Sequence, residues 1–275
     1  MNNILQPTAA LQKFFADHPR VLLLTGAGIS ASSGIPTYRD GSGRWLHATP
    51  IQHQDFLTSD ASRRRYWARS ALGWPQVREA QPNAAHHALA ALQAAGAVTR
   101  VVTQNVDQLH QKAGSSDVID LHGRLDRVRC LQCGALESRE AIQAQLAASG
   151  AATLPGSIAR PDGDADVDAA AIARIRVPLC QHCGGLLKPD VVFFGDNVPR
   201  ARVDSVMGAL READALMVVG SSLQVYSGFR FCREAQRQGK PIALVNPGVT
   251  RADAIASLKV SQPADRVLPT LLPEL

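Results

Sequence analysis

Four of the five cysteines form two C-x-x-C pairs, the spacing of thiolate ligands for a zinc ion. The pairs are Cys130 with Cys133 and Cys180 with Cys183. Two such turns complete a tetrahedral shell and leave no place for a catalytic water. Two disulfides or a redox C-x-x-C are the alternatives. We predict one structural Zn²⁺, because the sequence begins without a recognisable secretory signal and a redox motif needs no second pair.

Polar residues also stand where two predicted strands end. His122 follows the strand-like Val118–Leu121, and Asn105 and Asp107 follow the apolar run Val98–Thr103. Ligand sites of parallel α/β sheets form at the carboxyl ends of strands. Imidazole accepts a proton near neutral pH, so His122 is a candidate general base, although a lone histidine is more often structural. Asn105 and Asp107, taken alone, also fit an ordinary turn.

Glycines follow the first apolar run directly, in the segment Gly26-Ala27-Gly28-Ile29-Ser30. Glycine at this point lets backbone N–H groups approach a pyrophosphate at a helix N-terminus. The segment departs from G-x-G-x-x-G, because Ala31 stands where the third glycine would be. Positions 46–50 also lack the acid that dehydrogenases place about 20 residues further on. The pattern therefore favours a dinucleotide ligand and disfavours hydride transfer.

Short apolar runs alternate with helical patterns along most of the chain. The runs are Val21–Thr25, Val98–Thr103, Ala215–Gly220 and Pro241–Asn246, and the helical patterns are Ala84–Ala95, Val203–Ala213 and Gly228–Gln238. This alternation predicts an α/β fold with a doubly wound, Rossmann-like parallel sheet. We assign 1–40, 83–124 and 189–275 to this dinucleotide-binding domain. Segments 41–82 and 125–188 interrupt the alternation, and we expect them to form a smaller inserted domain, a helical module plus a four-cysteine zinc module.

Composition and charge exclude several classes of protein. The chain has 275 residues, 45% of them hydrophobic, which is enough for a sizeable core. No apolar stretch approaches the roughly 18 residues that span a bilayer, so we expect no membrane partner. The net charge of +5 is scattered apart from Arg63-Arg64-Arg65, and it predicts no specific nucleic-acid partner. A zinc-ribbon module that binds nucleic acid is a remote alternative, because it leaves the glycine loop and His122 unexplained.

Taken in order, these motifs resemble those of the sirtuins, the NAD-dependent protein deacylases. The matching strings are GAGIS…GIPTYRD at 26–40, TQNVD at 103–107, LHG at 121–123, the two C-x-x-C pairs, KPDVVFFGD at 188–196, GSSLQV at 220–225 and NPG at 246–248. They extend over nearly the whole chain. The strings PIQHQDF at 50–56 and RYWAR at 65–69 most resemble class II, the sirtuin-4-like subgroup. Because this subgroup includes bacterial proteins and the N-terminal segment is too short and too poor in arginine for organelle import, we expect a cytoplasmic protein.

The resemblance implies an NAD-dependent protein lysine deacylase that transfers the acyl group from acyl-lysine to ADP-ribose and releases nicotinamide. His122 would remove a proton from the nicotinamide ribose, with Asn105 and Asp107 beside it as further catalytic residues. The implied cofactors are NAD and one structural zinc, and the implied partners are acyl-lysine proteins or peptides. Protein mono-ADP-ribosylation is the alternative reaction, because the same residues would serve it. The oligomeric state is not predicted.

The resemblance also implies which residues bind the ligands. Those expected to contact NAD are Gly26, Ala27, Gly28, Ser30, Ile35, Thr37, Tyr38, Arg39, Gln104, Asn105, Val106, Asp107, Gly220, Ser221, Ser222, Asn246, Pro247, Gly248 and Ala264. Those expected to contact the acyl-lysine substrate are Tyr66, Arg69, Phe194, Gly195, Leu223 and Val225.

Tyr66 and Arg69 bear on acyl selectivity. Their Tyr-x-x-Arg spacing is the one by which class III sirtuins hold the carboxylate of a succinyl group. On a helix the two positions share a face, so a phenol and a guanidinium can converge on one anion. A solvated surface helix is the alternative. We predict a preference for carboxylated or longer acyl groups, of the methylglutaryl type, over acetyl.

Overall fold

The computed structural model describes residues 2–42, 44, 46, 50–149, 172–173 and 175–274, and the chain divides into two compact units. The first unit comprises Met1–His47, Gln81–Leu121 and Val198–Leu275. The second comprises Ala48–Ala80 and His122–Asn197. The part of the predicted small domain at 150–171 lies outside the described residues.

The α-helices and β-strands follow the predicted alternation. In chain order the helices are α1 (Asn2–Asp17), α2 (His53–Thr58), α3 (Asp60–Glu79), α4 (Ala84–Ala94), α5 (Leu109–Lys112), α6 (Arg139–Ala148), α7 (Arg200–Glu212), α8 (Tyr226–Arg237) and α9 (Ala264–Val267). The strands are β1 (Val21–Thr25), β2 (Val98–Thr103), β3 (Val118–Asp120), β4 (Gly123–Cys130), β5 (Leu136–Ser138), β6 (Leu187–Val191), β7 (Ala215–Val219), β8 (Ile242–Val245) and β9 (Leu258–Val260). Within the described ranges, none of these helices has the length and hydropathy to cross a membrane.

The first unit is built on a six-stranded sheet in the order β3-β2-β1-β7-β8-β9. Neighbouring strands are parallel, and Leu23 at the centre of β1 pairs with Val101 of β2 and Met217 of β7. The strands run outward from β1 in one direction and from β7 in the other, which is the Rossmann arrangement. The predicted doubly wound α/β fold is therefore confirmed.

Helices cover both faces of this sheet. Val21 and Leu23 pack with α1, α4 and α9 in one apolar cluster, and Leu22 and Leu24 pack with α7 and α8 in another. All four side chains are at most 1% exposed. Side chains alternate between the faces of a strand, so a sheet buried on both faces needs an unbroken apolar run. This requirement explains the sequence VLLLT of β1.

The second unit combines a small antiparallel sheet, in the order β5-β4-β6, with α2, α3 and α6. Its core includes Phe56, Trp67 and Ile142, and α6 is joined to α3 through Arg139. The Arg139 guanidinium is 4.7 Å from the Trp74 ring centroid and 5.7 Å from that of Trp67, and it donates a hydrogen bond to the backbone oxygen of Ser70. Burial lowers the pKa of Arg139 to about 10. The buried cation of Arg139 thus packs against two indole rings in this core.

Candidate functional site

The glycine-rich segment of the first unit lies at the carboxyl ends of β1 and β7. A short 3₁₀ turn, Ala27–Ile29, follows β1, and Gly220–Ser222 follow β7. The two strands are adjacent, and the sheet grows away from them in opposite directions. In open α/β sheets ligands bind at this switch point, beyond the carboxyl ends of the strands. The position and the small residues of both loops fit a dinucleotide pyrophosphate, because glycine lets backbone N–H groups approach it.

Two glycines bring the loops after β1 and β7 into direct backbone contact. The Gly28 N–H donates to the Gly220 carbonyl over 2.8 Å. A Cβ on Gly28 would lie 2.8 Å from the same oxygen, and a Cβ on Gly220 would lie 2.3 Å from the Ile29 nitrogen. Gly220 also has φ +61°, in the left-handed region. Both positions therefore require glycine.

Asn105, Ser30 and Asp107 form a hydrogen-bonded chain beside this loop. The Asn105 amide nitrogen donates to the Ser30 hydroxyl over 3.0 Å and to the Gly26 carbonyl over 3.2 Å. The Ser30 hydroxyl donates in turn to the Asp107 carboxylate over 2.7 Å. Both hydrogens of the Asn105 side-chain amide are thus donated to acceptors within the protein. These two hydrogen bonds fix the orientation of the amide, and its oxygen can accept a hydrogen bond from a ligand.

The Asp107 carboxyl is 7% exposed, and burial raises its pKa. Hydrogen bonds from the Leu109 N–H and the Ser30 hydroxyl act in the opposite direction, because they stabilise the carboxylate. Gln104 links the same region to the loop after β7, since its amide nitrogen donates to the Ser221 hydroxyl over 2.9 Å. Side-chain hydrogen bonds thus join the loops that follow β1, β2 and β7.

The remaining predicted NAD contacts also belong to the first unit. Ile35 is buried, and the Thr37 hydroxyl donates to the Arg39 carbonyl over 3.0 Å. The Asn246 side chain, 8% exposed, donates to the Gly248 carbonyl over 3.0 Å. Ala264, at the first position of α9, is buried. The division of the chain thus groups all residues predicted to contact NAD in one unit.

A buried histidine pair, His86 and His110, is connected to Asn105 through hydrogen bonds. The ring centroids of His86 and His110 are 5.0 Å apart. His110 Nε2 is 2.8 Å from the Thr25 hydroxyl, which donates to the Thr103 hydroxyl over 2.9 Å. The Thr103 hydroxyl accepts the Asn105 N–H over 3.1 Å. The pair is therefore connected to the backbone of the candidate site.

Burial lowers the pKa of His86 to about 4 and that of His110 to about 3, so both rings are neutral at physiological pH. The sequence alone predicts a structural role for His110 in this region and places His86 in the helical pattern Ala84–Ala95, but it gives His86 no further role. A signal was present in the pattern Asn83-x-x-His86, because the two residues form a capping box at the start of α4.

His122 is the first residue of the second segment of the second unit, lies immediately before β4, and is partly exposed. Its carbonyl accepts the Val192 N–H over 2.8 Å. The next residue, Gly123, has φ +86°, and a Cβ there would lie 2.0 Å from the Asp190 carbonyl. Backbone pairing between β4 and β6 therefore holds His122 in place, and glycine at position 123 permits the close approach.

The predicted substrate residues divide between the units. Phe194, Gly195, Tyr66 and Arg69 belong to the second unit, and the Phe194 carbonyl accepts the His53 N–H over 2.8 Å. The other two, Leu223 and Val225, belong to the first unit and lie between β7 and α8.

Tyr66 lies on α3 within an aromatic cluster. Its ring centroid is 5.5 Å from that of Phe56 and 5.2 Å from that of Phe193. Arg69, one helical turn further along α3, is partly buried. Tyr66 is therefore a core residue of the second unit that also borders the Phe193–Gly195 segment.

The four paired cysteines of the second unit form a metal site. Their sulfur atoms all lie within 4.8 Å of one another, with Cys130 and Cys183 3.5 Å apart and Cys133 and Cys180 3.7 Å apart. A tetrahedron with Zn–S bonds of about 2.3 Å has edges of about 3.8 Å, so the donor set fits zinc. The Cys133 N–H donates to the Cys130 sulfur and lowers the pKa of that thiol to about 6, which favours the thiolate.

Comparison with known proteins identifies relatives over the whole chain. The Sir2 family model matches residues 26–227. A Bradyrhizobium diazoefficiens protein named NAD-dependent protein deacetylase 2 is 50% identical over 273 residues, 99% of this chain and 100% of that protein. The Drosophila melanogaster NAD-dependent protein deacylase Sirt4 is 47% identical over 266 residues, covering 95% of this chain and 85% of its own. A solved Sir2 complex with a p53 peptide and NAD⁺ has a TM-score of 0.75 at 28% identity, covering 96% of this chain and 97% of that one.

Removal of one sulfur ligand tests the metal site. We expect Cys183→Ser to lose most of its zinc and to lower the melting temperature, because a structural zinc site contributes directly to folding. Zinc per chain would be measured by mass spectrometry of the purified protein. Cys232→Ala is the control, since Cys232 is a buried free cysteine of the first unit and should keep one zinc. A full zinc content in Cys183→Ser would contradict the assignment.

The buried histidines predict a pH-dependent stability. Their folded-state pKa values lie below the unfolded value of about 6.5, so the unfolded chain binds more protons below that pH. The free energy of unfolding should fall as the pH drops from about 6.5 toward 4. His110→Gln should flatten this slope by up to about 1.4 kcal/mol per pH unit in urea titrations.

The exposed neighbour His87 provides the control for this experiment. His87→Gln should keep the wild-type slope. An equal change in both variants would show that the burial of His110 is not the cause.

Proposed function

The chain belongs to the Sir2 family and is an NAD-dependent protein deacetylase of the sirtuin type, and we propose that the residues described above carry out the reaction. The observation that supports this proposal best is the chain from Asn105 through Ser30 to Asp107 at the switch point of the sheet. It holds an amide oxygen at the edge where a dinucleotide binds in folds of this type.

The proposed role of Asn105 follows from charge. Bound NAD supplies an electrophilic ribose carbon and nicotinamide as the leaving group, so positive charge develops on the ribose. An acceptor oxygen held in place by the protein stabilises that charge without reorganising. Asp107 keeps the Ser30 hydroxyl, and through it the Asn105 amide, in this orientation.

The proposed role of His122 is that of general base toward a ribose hydroxyl. A neutral imidazole accepts a proton at neutral pH, and His122 is partly exposed. His110 and His86 do not suit this role, because burial keeps their pKa values at about 3 and 4 and makes them weak bases. We propose that Phe194–Gly195 and Leu223–Val225 each offer backbone groups to an extended substrate peptide, which would give affinity with little sequence selectivity.

Two finer assignments are also part of the proposal. The 47% identity to the Drosophila protein supports placing the chain in the sirtuin-4-like subgroup. All five cysteines are free thiols, and the four paired ones are suited to bind zinc as thiolates, which fits the reducing cytoplasm of a bacterium.

The reaction is tested with acyl-lysine peptides incubated with and without NAD. We expect deacetylation only with NAD, with one nicotinamide and one acyl-ADP-ribose formed per acyl group removed. His122→Ala should lower turnover by about 10²-fold or more, because a general base contributes about 10²–10⁴.

The matched control is His87→Ala, which removes an exposed imidazole from α4 and should keep wild-type turnover. Mass spectrometry distinguishes the alternative reaction, since ADP-ribosylated protein without acyl-ADP-ribose would indicate ADP-ribosyl transfer. Full turnover by His122→Ala would show that His122 is not the general base.

Acyl selectivity is proposed to depend on Tyr66 and Arg69. The Tyr66 ring lies 5.2 Å from that of Phe193, next to the proposed peptide segment, and Arg69 follows one turn along α3. A guanidinium–carboxylate hydrogen bond contributes about 1.5–3 kcal/mol, or roughly tenfold to a hundredfold in rate. We therefore propose that methylglutaryl-lysine and related carboxylated groups are removed faster than acetyl.

The ratio of kcat/KM for methylglutaryl and acetyl peptides tests this selectivity. We expect Arg69→Ala to lower the ratio by about tenfold, because acetyl-lysine offers no carboxylate. Arg65→Ala is the matched control, since Arg65 is an exposed arginine one turn earlier on the same helix. An unchanged ratio in Arg69→Ala would refute the assignment.

A further inference from the structure

Two arginines and two exposed apolar side chains form a surface at the start of α8. Val225 is 39% exposed and Tyr226 is 49% exposed. The Arg230 guanidinium is 5.4 Å from the Tyr226 ring centroid, and that of Arg251 is 5.8 Å from it. We call these four residues, Val225, Tyr226, Arg230 and Arg251, the Tyr226 surface.

The two arginines of this surface form no ion pair with the described residues. Their contacts are with aromatic rings and backbone carbonyls, and the Arg230 Nε atom is buried without a hydrogen-bond partner. The nearby acids are engaged elsewhere, because Glu234 pairs with Arg237 and Asp253 with Lys259. The Tyr226 surface therefore carries two positive charges that the described part of the chain does not neutralise.

Arg251 is also attached to the segment proposed to bind the substrate backbone. The backbone N–H of Arg251 donates to the Ser222 carbonyl over 2.9 Å, and its guanidinium donates to the Gln224 carbonyl over 3.4 Å. Its side chain stacks on Phe229, with 4.5 Å between the guanidinium carbon and the ring centroid. Aromatic contacts and hydrogen bonds of this kind reduce the freedom of a long side chain, so less entropy is lost when it binds an anion.

We propose that the Tyr226 surface binds an acidic side chain of the substrate and so selects acyl-lysine peptides with Asp or Glu near the modified lysine. The inference rests on the proposed function, because it takes Leu223–Val225 as one edge for the peptide. An extended peptide rises about 3.3 Å per residue, so three residues on either side of the lysine reach about 10 Å along the surface. A guanidinium binds a carboxylate through two parallel hydrogen bonds, which a neutral side chain cannot accept.

The experiment uses the full-length protein and acetyl-lysine peptides that carry one Asp, or Asn in its place, at each of the three positions before and after the lysine. The wild type should show a kcat/KM about three- to tenfold higher for Asp than for Asn at one or two positions, through a lower KM. The preference should weaken at high salt, because exposed charges are screened. Arg230→Gln with Arg251→Gln should abolish it, and Arg251→Glu should reverse it.

Lys13→Gln is the control for loss of a positive charge elsewhere, because Lys13 is an exposed cation on α1, which packs on the other face of the sheet. It should keep the preference for Asp. Turnover of the all-neutral peptide separates the two proposals. If no peptide is deacetylated with NAD, the proposed function fails. If the neutral peptide is turned over but Asp and Asn peptides are equivalent, or the double variant keeps the preference, the Tyr226 surface does not select acids.

Discussion

The backbone contact between Gly28 and Gly220 is the constraint on which the candidate site depends. It joins the loops that follow β1 and β7, and it is possible only because neither residue has a side chain. Ser30 and Ser221 are placed by these loops, and the amides of Asn105 and Gln104 then hydrogen-bond to them. A shift of either loop would misalign this series of hydrogen-bonded side chains, because each hydrogen bond tolerates a change in length of only a few tenths of an ångström.

The neutral pair His86 and His110 connects the hydrogen bonds of the candidate site to the core of the first unit. His86 takes part with Asn83 in the capping box of α4, and His110 contacts Thr25, so two buried rings connect a helix terminus to the ends of β1 and β2. Charging either ring would place an unpaired cation in an apolar interior, which is strongly unfavourable. Burial makes these histidines poor proton acceptors. It also keeps His110 neutral in the series of hydrogen bonds that runs through Thr25 and Thr103 to the backbone N–H of Asn105.

The second unit has a different source of stability. In the described residues its sheet has only three strands, which alone bury little apolar surface. Four cysteines bring the turns after β4 and before β6 together at a zinc site, while Arg139 stacks on Trp67 and Trp74 to hold α6 against α3. Metal ligation and cation–π packing thus supplement the hydrophobic core that contains Tyr66.

Local patterns by themselves determined much of this protein. The buried run Val21–Thr25, the glycine loop and the two C-x-x-C pairs are each defined by residues close together in the sequence. The doubly wound fold and the cysteine cluster could therefore be predicted from these patterns. Only the tertiary structure brought His86 to His110, Arg139 to Trp67, and Arg251 to Tyr226. Such pairs are distant in the chain and leave no periodic signal. Their proximity results from strand order and helix packing, which depend on the free energy of the whole fold.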